Sequence, residues 1–122
     1  MKTILIADDE PNIVISLEYL LQREGYQVLV ARDGQAALDT IALIPPDLVL
    51  LDVMLPKLSG YEVCQKIREN PATRGIRIVM LTAKGRDVER SKGIALGADA
   101  YVTKPFSTRE LLQHISAQLE GR

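Results

Sequence analysis

Five residues from four distant parts of the chain carry groups suited to a single chemistry: Asp8, Asp9, Asp52, Thr82 and Lys104. The first two stand in Leu5-Ile6-Ala7-Asp8-Asp9-Glu10-Pro11, an apolar run that stops on three consecutive acids. Carboxylates held within a few Å repel and raise one another's pKa, so water or a cation must sit among them. A small all-oxygen ligand set favours Mg²⁺, which keeps several waters and often takes a phosphate as well. A lone histidine and a lone cysteine argue against zinc. Lys104 would add a fixed positive charge and Thr82 a hydroxyl donor, both suited to phosphoryl oxygens. A carboxylate held against the ion, with those donors aimed at the incoming group, is a nucleophile for phosphoryl transfer. All of this requires a fold that gathers the five residues.

Short apolar runs alternate with amphipathic helices along the chain. Thr3 to Ala7 has no polar interruption, as expected of a parallel strand covered on both faces. Pro11 suits a helix start, and Ile13, Val14, Leu17, Leu20 and Leu21 recur at helical spacing until Gly25. Gln27 to Ala31 reads as a second strand, and Asp33 can cap a second helix that ends at Pro45-Pro46. Asp47 to Asp52 reads as a third strand, closing on an acid, before a helix opened by Ser59-Gly60. Arg77 to Leu81 is a fourth strand ending at Thr82, and a charged, thinly apolar fourth helix is expected from Arg86 to Leu96. Little buried area would hold that helix, so it is expected to move most easily. Asp99 to Val102 reads as the last strand, and Ser107 caps a final helix. Five such units predict an α/β, flavodoxin-like, doubly wound sheet of five parallel strands, with helices on both faces. In that fold ligands bind beyond the carboxyl ends of the strands, where the strand order reverses. Asp8, Asp9, Asp52, Thr82 and Lys104 all fall at that edge.

Composition removes several alternatives. The 122 residues fit one compact domain, and 47% hydrophobic with 25% charged residues is ordinary for a folded soluble protein. A formal charge of -1 offers no basic surface for nucleic acid. Cys64 alone can form no internal disulfide, and it shares an apolar helix face with Val63 and Ile67, so it reads as a buried thiol. No segment approaches the ~18 apolar residues of a membrane span, and the N-terminal apolar run is too short for an export signal. A cytoplasmic setting is the expectation.

Asp8-Asp9, Asp52, Thr82-Ala83 and Lys104-Pro105-Phe106 together resemble the receiver domain of two-component response regulators, over essentially the whole chain, 1–122. The resemblance implies strand order 2-1-3-4-5 and a phosphorylation switch rather than a turnover enzyme. Asp52 would accept a phosphoryl group from a sensor histidine kinase or phosphotransfer protein. Asp9, Asp52 and the backbone carbonyl of Met54 would bind Mg²⁺, with Asp8 acting through a water and Mn²⁺ able to substitute. Thr82 and Lys104 would hold the phosphoryl oxygens, and the Lys104-Pro105 bond would be cis. On phosphorylation Thr82 would shift and Tyr101 rotate inward, remodelling the face of the fourth helix, fifth strand and fifth helix for an output domain or downstream protein.

Residues 54–62 and 97–107 resemble receivers of winged-helix transcription factors, which pair through that same face by salt bridges. Arg90 and Glu110 fit the pattern, whereas Ala100 and His114 replace charged residues usual there, which weakens a phosphorylation-dependent homodimer. No output domain follows Arg122, so the chain reads as a stand-alone receiver or one cut from a longer protein. Met54, two residues after Asp52, cannot orient an attacking water through hydrogen bonds, and Lys84 is cationic where fast-hydrolysing relatives carry an acid or amide, which suggests slow loss of the phosphate. Three rivals differ in class. A haloacid-dehalogenase-like phosphatase wants a second acid where Met54 stands, and a flavin or nucleotide binder wants a glycine-rich turn after the first strand. A degenerate receiver serving only protein interaction would not need every phosphorylation residue.

Overall fold

The computed structural model describes residues 1–83, 91–92 and 94–120. Among the described residues these elements follow one another: β1 Thr3–Ala7, α1 Pro11–Arg23, β2 Gln27–Ala31, α2 Gly34–Leu43, β3 Leu48–Asp52, α3 Gly60–Glu69, β4 Arg77–Ala83, β5 Ala100–Lys104 and α4 Thr108–Glu120. The strands form one parallel sheet in the order β2-β1-β3-β4-β5, as expected. Most boundaries follow local chemistry. Pro11 opens α1, and Gly25, at φ 91, stands just past its end. The Asp33 carboxylate accepts from the Ala36 N–H at the start of α2. Ser59 and Glu62 form a reciprocal capping box on α3, and the Ser107 hydroxyl accepts from the Glu110 N–H at α4.

Three strands differ in extent from the sequence expectation. β3 starts at Leu48 instead of Asp47, β4 runs on to Ala83, and β5 spans Ala100 to Lys104 instead of Asp99 to Val102. Asp99 instead turns its carboxylate onto the Ile78 N–H and onto Arg68 and Arg77. Of the fourth expected helix, Ser91, Lys92, Ile94 and Ala95 are helical, and residues 86–90 and Gly93 lie outside the described residues. The readings made for Lys84 and Arg90, and for that helix's mobility, lie there too. Among the described residues no helix is long and apolar enough to cross a membrane.

The pleat sorts side chains onto the two faces. Ile4, Ile6, Leu48, Leu50, Val79, Leu81 and Val102 pack with α1 and α4. Leu5, Ala7, Val49, Leu51, Ile78, Met80 and Tyr101 pack with α2 and α3. Ile4 to Ala7 of β1 and Leu48 to Leu51 of β3 are completely buried, as expected of inner strands covered on both faces. The buried thiol of Cys64 donates to the Leu96 carbonyl at 3.6 Å and belongs to this packing.

At the switch point between β1 and β3 one contact is unusually close. A Cβ placed on Gly60 would lie 2.4 Å from the Asp52 carbonyl oxygen and 2.9 Å from the Val53 Cα. The start of α3 can therefore seat on the end of β3 only through glycine. Gly60→Ala is expected to cost about 1–3 kcal/mol in chemical denaturation. Gly75→Ala, where a Cβ meets nothing within 4 Å, should stay within about 0.5 kcal/mol of the wild type.

Candidate functional site

Strand register builds the site. Ala7 pairs with Leu51, so the next positions of β1 and β3, Asp8 and Asp52, are neighbours at the carboxyl edge. Asp8 is in phase with Ile4 and Ile6, Asp52 with Leu48 and Leu50, and Lys104 with Val102, so all three belong to the α1/α4 face. The Lys104 ammonium lies 3.0 Å from Asp8 Oδ2, 3.1 Å from Glu10 Oε1 and 3.4 Å from Asp52 Oδ2. Asp8 is completely buried and Asp52 nearly so. The remaining carboxylate oxygens are held by backbone. The Glu10 N–H donates to Asp8 Oδ1 at 2.9 Å, and the Met54 N–H donates to Asp52 Oδ1 at 3.2 Å.

One ammonium facing three carboxylates sets the electrostatics. Burial raises the Asp52 pKa, and the charge of Asp8 raises it further, against the opposing pull of Lys104 and the Met54 N–H. For Lys104, burial alone would lower the pKa. The hydrogen bond to Asp8, the charges of Asp52 and Asp8 and the bond to Glu10 outweigh it and leave the pKa raised. Oxygens of Asp8, Glu10 and Asp52 lie within 4.8 Å of one another. That spread is close to the ~4.2 Å between opposite ligands of an ion with ~2.1 Å bonds, and three carboxylates suit a hard divalent cation. The donor set therefore fits Mg²⁺.

The expected site residues are not all gathered alike. Asp8, Asp52 and Lys104 meet directly. Thr82 is buried near the end of β4, one residue beyond Leu81, the register partner of Asp52. Asp9 is exposed and stands outside the group of three carboxylates. Met54 brings its N–H to the site while its side chain is 65% exposed. Tyr101 is buried in the layer facing α2 and α3, and the Lys104-Pro105 bond is cis. Glu10 is the residue the sequence reading missed. Alternation along an extended chain was the available signal, because Asp8 and Glu10 share one side and Asp9 takes the other.

The raised pKa of Asp52 has a consequence for stability. A carboxyl whose folded pKa lies above its ordinary value of 3.8 destabilises the fold as pH rises through that folded value, and the loss persists at neutral pH. Asp52→Asn is therefore expected to raise the denaturation midpoint at pH 7 without added metal. The gain should shrink as pH falls through the raised folded pKa, below which the wild-type carboxyl is protonated as well. A neutral or destabilising effect at pH 7 would show that Asp52 is not under this strain.

Comparison with known proteins places these features in context. The response regulator receiver domain family matches residues 4–116. The alkaline phosphatase synthesis transcriptional regulatory protein PhoP of Bacillus subtilis is 48% identical over 118 residues, 97% of this chain and 48% of that protein. The chain thus spans about half the length of that curated relative. A solved structure from Chloroflexus aurantiacus shares 37% identity with a TM-score of 0.94, covering 98% of each chain. The receiver domain of a sensor histidine kinase from Pseudomonas aeruginosa, described with a magnesium ion coordinated in its active-site cleft, shares 29% identity with a TM-score of 0.90 over 98% of each chain.

Proposed function

The chain belongs to the response regulator receiver domain family, and on that premise we propose that residues 1–122 form the phospho-accepting switch of a two-component relay, with Asp52 as acceptor. The observation that carries this reading is the meeting of Asp8, Asp52 and Lys104, from three separate strands, within hydrogen-bonding reach at one sheet edge. A carboxylate oxygen of Asp52 bonds to the phosphorus of a phosphohistidine on a sensor kinase or phosphotransfer protein. The phosphorus–nitrogen bond breaks, and its electron pair leaves with the imidazole. The Met54 N–H holds the carboxylate in orientation while Lys104 neutralises charge on the transferring group. Thr82, buried at the strand beside Asp52, supplies a second donor to the phosphoryl oxygens.

Asp9, Asp52 and the Met54 carbonyl, with Asp8 through a water, are the ligands we assign to Mg²⁺ or Mn²⁺. Glu10 already shares the carboxylate group. The bound ion supplies charge neutralisation between these acids and the phosphoryl oxygens. The magnesium in the Pseudomonas relative supports the assignment. Downstream, Thr82 and Tyr101 would carry the change to the surface made by β5, α4 and the segment before β5, where an output domain or partner would read it. The Bacillus relative's printed role as a transcriptional regulatory protein supports a DNA-binding output. Ala100 and His114 stand where charged residues are usual in pairing receivers, so a phosphorylation-dependent homodimer would lack those ion pairs.

Incubation with acetyl phosphate and Mg²⁺ is expected to add one phosphoryl group per chain by intact mass. None should appear with a chelator or in Asp52→Asn. Catalytic release of inorganic phosphate without accumulation of the adduct would point to a phosphatase instead.

Lifetime is a separate expectation. The Met54 side chain is exposed and has no group to align a water with Asp52, so the adduct should persist for minutes or longer with Mg²⁺ present. Decay within seconds would contradict it.

A further inference from the structure

An ammonium has three N–H donors, and Lys104 gives hydrogen bonds to Asp8 and Glu10 while facing Asp52 Oδ2 at 3.4 Å. A phosphoryl group on Asp52 presents several oxygens to the same ammonium. Any contact to them beyond the one now directed at Asp52 comes at the expense of Asp8 or Glu10, and burial identifies which. The Asp8 side chain has no exposed surface, so withdrawing Lys104 would strand a buried charge, a penalty of hundreds-fold or more in equilibrium terms. Asp52 is itself the residue being modified. The Glu10 side chain is 58% exposed and returns to water on release, at the fewfold cost typical of an open ion pair. Its backbone stays in place, because the Glu10 N–H is bound to Asp8 Oδ1 and Pro11 begins α1 directly after it.

We propose that Glu10 is a positioning residue for phosphorylation at Asp52: it holds Lys104 beside the acceptor in the unmodified domain and surrenders it to the phosphoryl group. This rests on the reading of Asp52 as acceptor. Glu10 then competes with the phosphoryl group for one ammonium, which lowers the equilibrium yield of the modified state. It also keeps Lys104 over the site instead of extended into solvent. The residue acts through Lys104 and makes no contact with the transferred group.

Beryllofluoride, a phosphoryl mimic that binds reversibly, allows the competition to be measured as an affinity. Glu10→Gln keeps the side-chain length and removes the charge. At saturating Mg²⁺ it is expected to bind beryllofluoride about two- to fivefold more tightly than the wild type. A parallel Mg²⁺ titration of both proteins separates this from any change in metal affinity. Equal or weaker beryllofluoride binding by the variant overturns the proposal. A crystal structure of the wild-type Mg²⁺–beryllofluoride adduct gives a second test. Lys104 should keep Asp8, meet a fluoride, and have left Glu10. A retained Lys104–Glu10 contact overturns the proposal even if the affinities differ. If the wild type forms no adduct at all, the acceptor reading fails first and the role of Glu10 fails with it.

Discussion

Lys104 leaves the end of β5 and reaches Asp8, next in line after β1, at 3.0 Å, although β4 and β3 stand between the two strands. Three strand spacings amount to roughly 14 Å of sheet. The two side chains together span the ends of β4 and β3. Ala83, the register partner of Lys104 and in phase with Leu81, places only a methyl group at the end of β4 on that face. The ion cluster therefore constrains four strands at once, including one that contributes no charge to it.

The pleat then divides labour between the two faces. Asp8, Asp52 and Lys104 fall in phase with the layer under α1 and α4. Thr82 is in phase with Ile78 and Met80, and Tyr101 pairs with Met80, in the layer under α2 and α3. Asp52 sits at the edge where the two faces meet, with Lys104 reaching it from one side and Thr82 standing at the end of β4 on the other.

Most of the fold was legible because each element announces itself locally. Uninterrupted apolar runs mark β1 and β3, and Pro11, Gly25, Asp33 and Ser59 punctuate the helices as their backbone chemistry requires. The site was legible to the level of strand ends, since Asp8, Asp52 and Lys104 needed only the sheet order to meet. Finer detail was not. Which of three adjacent acids turns inward depends on the direction of the chain after β1, and Glu10 rather than Asp9 joins the group. The start of β5 was misjudged because Asp99 is taken by Arg68 and Arg77, partners 31 and 22 residues away that no local pattern reveals.

The backbone around Asp52 is closely packed and hydrogen-bonded. Gly60 seats α3 against the Asp52 carbonyl, and its N–H donates to the Val53 carbonyl at 2.9 Å. The loop between them is tied down further. The Gly34 N–H donates to the Pro56 carbonyl at 3.0 Å, the Leu58 N–H donates to the same oxygen at 2.8 Å, and Lys57 takes φ 69 between them while facing Asp33. A Cβ on Gly34 would lie 2.2 Å from the Leu58 carbonyl oxygen, so α2 is pressed onto this loop as closely as backbone allows. The backbone of Asp52 is thus held by the start of α3, and the loop after it by the start of α2, whereas Lys104 and Thr82 approach from β5 and β4 as side chains. On the reading proposed for Asp52, a rigid acceptor with adjustable donors would pass a charge change on to β4 and β5 instead of absorbing it where it occurs.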